Sequence, residues 1–136
     1  MVPLYVSQYN PGHPFDMDTA LSDLVLTDFH KRLRSRAEVA DFEVRLWCDA
    51  ADRTETVYEL SGSLNMLLHV KASLGEHPLW RLSHQLLSDL KASGHKWAVV
   101  LLHRSTERGY LLPATEVSQR TQSGQWLSQD NGYEVS

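Results

Sequence analysis

The chain has 136 residues, a length typical of a single domain, and its only cysteine, Cys48, excludes an internal disulfide and a zinc site built from several cysteines. Its formal net charge of −4 at pH 7 argues against a protein that holds nucleic acid tightly through a basic surface. No apolar run approaches the roughly 20 residues of a membrane span, and the first residues lack the regions of a signal peptide, so we expect a cytoplasmic protein whose single domain covers residues 1–136.

The first predicted element is a helix from about Asp18 to Arg36. Its apolar residues recur at the helical period and form one stripe, Leu21, Leu24, Val25, Phe29 and Leu33. Its second half carries a group of potential cations, His30, Lys31, Arg32, Arg34 and Arg36. Two interpretations of this group are open. The cations either complement the negative end of the helix dipole, or they contact nucleic acid or a partner protein through Arg32, Arg34 and Arg36.

Three short strands are predicted next. Residues 41–48 alternate apolar and polar side chains, residues 54–60 are rich in Thr, Val and Tyr, and a turn at 61–63 leads into the apolar stretch 65–73. The short turns predict an antiparallel meander. On the third strand, one face is expected to carry Leu64, Met66, Leu68 and Val70, and the other Asn65, Leu67, His69 and Lys71.

A second helix is predicted to begin near Pro78 and to end at Gly94, which suits a C-terminal cap. Its buried stripe would consist of leucines, namely Leu79, Leu82, Leu86, Leu87 and Leu90. The continuously apolar stretch 97–102 predicts a central strand covered on both faces. Residues 110–112 predict a short returning strand.

The C-terminal part of the sequence is less regular. Residues 113–117 predict a helical turn, 120–125 a polar connection, and the apolar groups at 126–127 and 133–135 are expected to anchor the end of the chain. The order α-β-β-β-α-β-β predicts an α/β fold with a mixed β-sheet and flanking helices. The expected core residues are Leu64, Met66, Leu68, Val70, Leu82, Leu86, Leu90, Val99 and Leu101.

This order of elements resembles the core of the PD-(D/E)XK nuclease superfamily, which includes restriction endonucleases and Holliday-junction resolvases. Members of that family have an acidic residue on or just after the second strand and an acid-X-Lys motif on the third. Here Tyr58-Glu59-Leu60 stands at the first position and His69-Val70-Lys71 at the second. The resemblance covers about residues 18–113 and implies a restriction-endonuclease-like core.

The resemblance also implies a catalytic group made of Glu59, His69 and Lys71. Glu59 and His69 would hold a divalent metal ion, and Lys71 would position or activate the attacking water. The family binds Mg²⁺ with two or more carboxylates, because this ion prefers oxygen ligands, whereas His69 here replaces the second carboxylate. The metal site is therefore predicted to be degenerate. Glu55 lies on the same predicted strand face as Glu59 and is an alternative to it.

Each of these residues also has a purely structural interpretation. His69 would be a hydrogen-bonded core histidine, Glu59 a solvated charge on a hairpin, and Lys71 a strand-end lysine that reaches solvent. The residue pattern does not separate these interpretations from the catalytic ones.

Three functions follow from the sequence. The first is a nuclease-fold-like domain that is non-catalytic or weakly active and contacts nucleic acid or a partner protein. The alternatives are an active metal-dependent endonuclease with an atypical Glu59, His69 and Lys71 site, and a small interaction or immunity-type accessory protein. No cofactor is expected, apart from a divalent metal ion if the protein is active. Self-association or a protein partner is favoured over nucleic acid, which we expect to bind weakly, and no membrane association is expected.

Overall fold

The structure is a computed structural model that describes residues 17–47 and 56–136. Its elements follow one another in this order: α1 (Met17–Ala40), β1 (Phe42–Leu46), β2 (Val57–Gly62), β3 (Met66–Ser73), β4 (Trp80–Ser83), α2 (His84–Ala92), β5 (Trp97–His103), β6 (Gly109–Pro113), α3 (Ala114–Gln122), β7 (Leu127–Gln129) and β8 (Gly132–Val135). The predicted mixed α/β fold with flanking helices is confirmed.

The main sheet has five strands in the order β1-β2-β3-β5-β6. The first three form the predicted antiparallel meander. Strand β5 runs parallel to β3, and β6 returns antiparallel to β5. A parallel pair needs a long crossover connection, and the segment that contains β4 and α2 supplies it.

The two faces of the main sheet are covered by different helices. Helix α1 covers one face, where Val25 packs with Leu68, Val70 and Val100. Helices α2 and α3 cover the other face, where Leu90 and Val117 belong to one buried cluster with Leu67, Val99 and Leu101. Strand β5 is therefore buried on both sides, as its uninterrupted apolar sequence predicts.

A second, three-stranded sheet in the order β4-β8-β7 was not predicted. Trp80 pairs with Val135 and Ser83 with Gly132, so the apolar end of the chain is a strand pair and not a loose anchor. The prediction of a helix from Pro78 is wrong, because α2 begins at His84 and Ser83 is its N-cap. The hydroxyl of Ser83 accepts a hydrogen bond from the Leu86 amide at 3.2 Å.

Two of the predicted buried leucines are exposed. Leu79, placed in the buried stripe of a helix, precedes β4 and is 55% exposed. Leu64, expected in the core, is 41% exposed because it lies in the turn between β2 and β3. In that turn the Asn65 side-chain amide donates to the Gly62 carbonyl at 3.0 Å. Met66 is half-buried, and the other residues of the predicted core are buried.

Helix α1 is longer than predicted. It continues to Ala40, and Asp41 then adopts the left-handed conformation with φ 62°. The last turn of the helix contains no basic residue. The helix-dipole explanation of the cations is therefore wrong, because the dipole acts mainly within the last turn.

Candidate functional site

The three candidate residues lie on one face of neighbouring strands. Glu59 is opposite Leu67 in the β2–β3 pairing, and His69 is opposite Val57. Since Leu67 belongs to the cluster under α2 and α3, the candidates project toward that side of the sheet and away from α1. Glu59 and His69 are diagonal neighbours, a relation in which Cα atoms are about 7–8 Å apart.

Glu59 has a cationic partner on the edge strand. Arg45 of β1 is directly opposite Glu59, and its Nε lies 3.2 Å from Glu59 Oε1. The carboxylate is 24% exposed, whereas the arginine side chain is 65% exposed. A metal ion bound by Glu59 would have to compete with this guanidinium.

His69 is fully buried, with none of its surface exposed. Its Nδ1 lies 3.0 Å from the carbonyl oxygen of Thr56. A carbonyl oxygen only accepts, so Nδ1 carries the proton and donates it. The amide of Val70 donates to the same oxygen at 3.0 Å. The imidazole thus helps to hold β3 against the residue that precedes β2.

Hydrogen bonds from one ring nitrogen to a carbonyl also orient many metal-binding histidines. A metal site needs further ligands that converge on the other nitrogen. Within residues 17–47 and 56–136, no group of three or more His, Cys, Asp or Glu side chains could hold a metal ion. The alternative ligand Glu55, like Cys48, lies outside the described residues. One carboxylate paired with arginine and one buried imidazole do not fit Mg²⁺, which demands near-octahedral oxygen ligation.

Lys71 lies two residues beyond His69 on the same face of β3, opposite Leu101 of β5, and is half-buried. Ser73, two residues further, is buried and its hydroxyl accepts a hydrogen bond from the Leu79 amide at 3.1 Å. On this face of β3, His69 lies inside the sheet, Lys71 follows it, and Ser73 lies at the end of the strand beside the loop that leads into β4. Strand geometry brings Lys71 near His69, as the sequence predicts.

The basic residues of α1 do not act as one group. The ring of His30 stacks on Tyr58 of β2 at 5.0 Å between centroids. The Nε of Arg32 lies 3.1 Å from Asp28 Oδ2, and its Nη2 lies 4.0 Å from Glu107. Arg34 and Arg36 are exposed. Arg32 therefore contacts acidic side chains within the chain, although its own side chain is 59% exposed, and Arg34 and Arg36 also face solvent.

Asp28 links α1 to the β5–β6 hairpin. Its Oδ2 accepts hydrogen bonds from Thr106 Oγ1 at 2.9 Å and from Arg32 Nε at 3.1 Å. Partial burial alone would raise the pKa of Asp28, but these two hydrogen bonds and the charges of Arg32 and Lys31 outweigh it, so its pKa lies below the usual value. Burial raises the pKa of Tyr58, which keeps the phenol neutral beneath His30.

An apolar cavity of about 460 Å³, which the sequence does not predict, lies between α1 and the β5–β6 hairpin. Its walls include Phe29, Leu33, Val100, Leu102 and Leu111. Tyr110 and Leu111 at its margin are each 63% exposed. The sequence shows that β6 is apolar, but no local pattern predicts that this strand lies at the edge of the sheet.

Comparison with solved structures finds chains of similar fold. No family model matches the sequence, and no curated protein matches it. None of the described helices is both long and apolar enough to cross a membrane. The fold is similar to that of Hjc, a Holliday junction resolvase from the archaeal hyperthermophile Archaeoglobus fulgidus, with a TM-score of 0.45 and 14% sequence identity over 80% of this chain and 81% of that chain.

Proposed function

We propose that this protein is a nuclease-fold-like domain with a degenerate metal site, which does not hydrolyse nucleic acid with Mg²⁺ and acts by contacting a partner, preferentially a protein. The observation that carries the proposal is the environment of His69. The position that would supply the second carboxylate holds an imidazole that is fully buried and hydrogen-bonded to Thr56.

The chemistry of Mg²⁺ supports the same conclusion. This ion gives up its water shell reluctantly and is held by carboxylates and other oxygen ligands. Glu59 is the one carboxylate among the three candidates, and it is engaged by Arg45. Lys71 supplies one positive charge, which is enough to bind a phosphate group. Without a metal ion to polarise the phosphate, it does not suffice for hydrolysis.

Incubation of the protein with supercoiled plasmid tests the absence of hydrolysis. We expect no nicking above the buffer background in Mg²⁺ or Mn²⁺, because the described residues bring no group of three or more ligands together for either ion. The Lys71→Ala variant is the matched control and should behave as the wild type does. Robust Mg²⁺-dependent cleavage that Lys71→Ala abolishes would overturn the proposal and establish an active nuclease with an atypical site.

Weak nucleic-acid binding is the second expectation. The net charge of −4 repels polyanions at long range, and Arg32 already faces Asp28 and Glu107. Lys31, Arg34 and Arg36 are also exposed on α1. A few cations give a shallow dependence on salt, since the slope scales with the number of phosphates neutralised. We therefore expect a Kd of about 1 µM or weaker at about 150 mM salt.

Fluorescence anisotropy with labelled duplex, four-way-junction and single-stranded DNA over a salt series measures this affinity. The double variant Arg34→Ala/Arg36→Ala should change it little. Arg81→Ala, which removes an exposed arginine from β4, is the matched control for loss of charge. Submicromolar binding with a steep salt slope that flattens only in the double variant would identify α1 as a phosphate-binding surface and reverse the preference for a protein partner.

A further inference from the structure

The turn between β7 and β8 places an exposed asparagine directly before a glycine. Asp130 and Asn131 connect Gln129 to Gly132, and these last two residues face each other in the β7–β8 pair. The side chain of Asn131 forms no hydrogen bond with another described residue, whereas its main-chain oxygen accepts one from the amide of His84 at 2.9 Å. The side-chain carbonyl carbon of Asn131 is therefore free to approach a neighbouring nitrogen.

The packing of β8 against β4 requires a glycine at position 132. Gly132 is buried and lies opposite Ser83, the last residue of β4. A Cβ atom at this position would lie 2.9 Å from the main-chain oxygen of Leu82 and 3.2 Å from Arg81 Cγ. The first of these contacts is with the backbone, so rotation of a side chain does not relieve it. The fold thus keeps a residue without a Cβ atom directly after Asn131.

This pair of residues is suited to a reaction within the main chain. The backbone nitrogen of the residue after an asparagine can attack the side-chain carbonyl carbon and close a cyclic imide. The attack is least hindered when that residue has no Cβ atom, and it is blocked at proline, whose nitrogen carries no proton. Asn10 precedes Pro11, and Asn65 precedes Met66. Asn131 is the asparagine of this chain that precedes a glycine.

We propose that Asn131 is a site of spontaneous deamidation, at which water converts the asparagine into aspartate and isoaspartate through a cyclic imide formed with Gly132. The Gly132 nitrogen bonds to Asn131 Cγ and gives its proton to a solvent base. The bond from Cγ to the side-chain nitrogen breaks, and ammonia leaves with a proton from water. Water then opens the imide. Cleavage between nitrogen and Cγ gives aspartate, and cleavage between nitrogen and the main-chain carbonyl carbon gives isoaspartate.

The place of Gly132 in the fold makes its nitrogen available for this reaction. Gly132 is the first residue of β8, a strand of four residues, and β7 has three. The ends of short strands open at a small part of the free energy of global unfolding. Opening at this turn leaves the main sheet intact, because none of its described strands pairs with β8. The hydrogen bond between His84 and Asn131 opposes the opening, so the reaction is slower than in an unfolded chain.

The two products differ in their effect on the fold. Aspartate keeps the course of the main chain and adds a negative charge beside the first turn of α2, where the helix dipole favours it. Isoaspartate carries the main chain through the former side chain, which lengthens the turn by one carbon atom. Gly132 is enclosed by Leu82 and Arg81 and has no room to shift. The isoaspartate form therefore loses the pairing of Gly132 with Ser83 and is the less stable product.

Incubation of the full chain in mildly alkaline buffer, followed by peptide mapping with mass spectrometry, tests the proposal. The peptide that contains Asn131 should gain about 1 Da and separate into two products, because the imide opens on either side. Asn65 is the matched control, since it is also exposed but both groups of its side-chain amide are hydrogen-bonded to Gly62. Its mass gain should be slower by roughly tenfold or more, because Met66 carries a side chain. The Asn131→Ser variant should show no gain at this position.

A mass gain at Asn131 that is no faster than the gain at Asn65 overturns the proposal. A single aspartate product, or a rate that does not rise from neutral to alkaline pH, overturns the cyclic imide, because its formation needs a deprotonated backbone nitrogen. These measurements need only the wild type, so they stand even if a variant fails to fold.

Thermal unfolding of the separated products tests the consequence for the fold. The Asn131→Asp variant is the reference for the added charge and should unfold at the temperature of the aspartate product. The isoaspartate product should unfold at a lower temperature. If it unfolds together with Asn131→Asp, the proposed loss of pairing at Gly132 is overturned.

Discussion

Replacing Leu82 by alanine is expected to lower the free energy of unfolding by about 2–5 kcal/mol, the range for deletion of a fully buried leucine side chain. Leu82 has no exposed surface and packs in the cluster that contains Trp80, Leu86 and Val135. Its neighbours in this cluster come from β4 itself, from α2, which follows β4 directly, and from β8. Deletion of the side chain leaves a cavity among them, and the loss of stability grows with the volume that stays empty.

Leu79→Ala is the matched control for this prediction. The two leucines are three residues apart and would share one buried face if residues 78–94 formed a single helix. In the structure Leu79 is 55% exposed, so its truncation should cost less than about 1 kcal/mol. Urea denaturation of both variants measures the difference. Equal losses would contradict the assignment of Trp80–Ser83 to a strand.

Gly109→Ala is expected to destabilise the β5–β6 hairpin strongly. A methyl group at Gly109 would overlap the carbonyl oxygen of Leu101 and approach Leu102 Cα to 3.1 Å. Both contacts are to the backbone of a central strand, so neither can be relieved by a side-chain rotation. We expect a loss of at least about 1–3 kcal/mol, the typical cost of overpacking.

Gly75→Ala is the corresponding control. Its nearest contact would be the His77 carbonyl oxygen at 3.4 Å, an ordinary distance, so its stability should change little. Thermal unfolding compares the two variants, and hydrogen exchange of the β6 amides locates the effect. If Gly109→Ala unfolds at the same temperature as Gly75→Ala, the close contact between Gly109 and the backbone of Leu101 does not exist.

Several elements follow directly from local sequence. Alternation along residues 66–73 places Leu68 and Val70 on one face and Leu67 and His69 on the other, and the structure buries them against different helices. The uninterrupted apolar run of β5 requires cover on both faces, which it has. Gly94 follows α2 with φ 78°, as expected for a glycine that ends a helix. In each case one short window contains the whole physical signal.

Other features depend on partners far away in the chain. Leu79, Leu82 and Leu86 match a helical spacing, but Trp80 and Leu82 also match the two-residue period of a strand. The edge of β8 supplies backbone partners for Trp80–Ser83, so the strand forms and the helix starts later. Nothing local distinguishes the two periods, because the deciding strand partner lies 55 residues away, where Trp80 pairs with Val135.

The candidate site divides in the same way. The sequence by itself determines that positions 69 and 71 of one predicted strand hold a histidine and a lysine, which then share a strand face. Only the tertiary structure decides that Arg45 pairs with Glu59 and that His69 is buried against Thr56. Those contacts depend on the register between strands and on the helices packed over the sheet. Register and packing are set by the whole chain, because each strand finds its neighbours through many weak contacts at once.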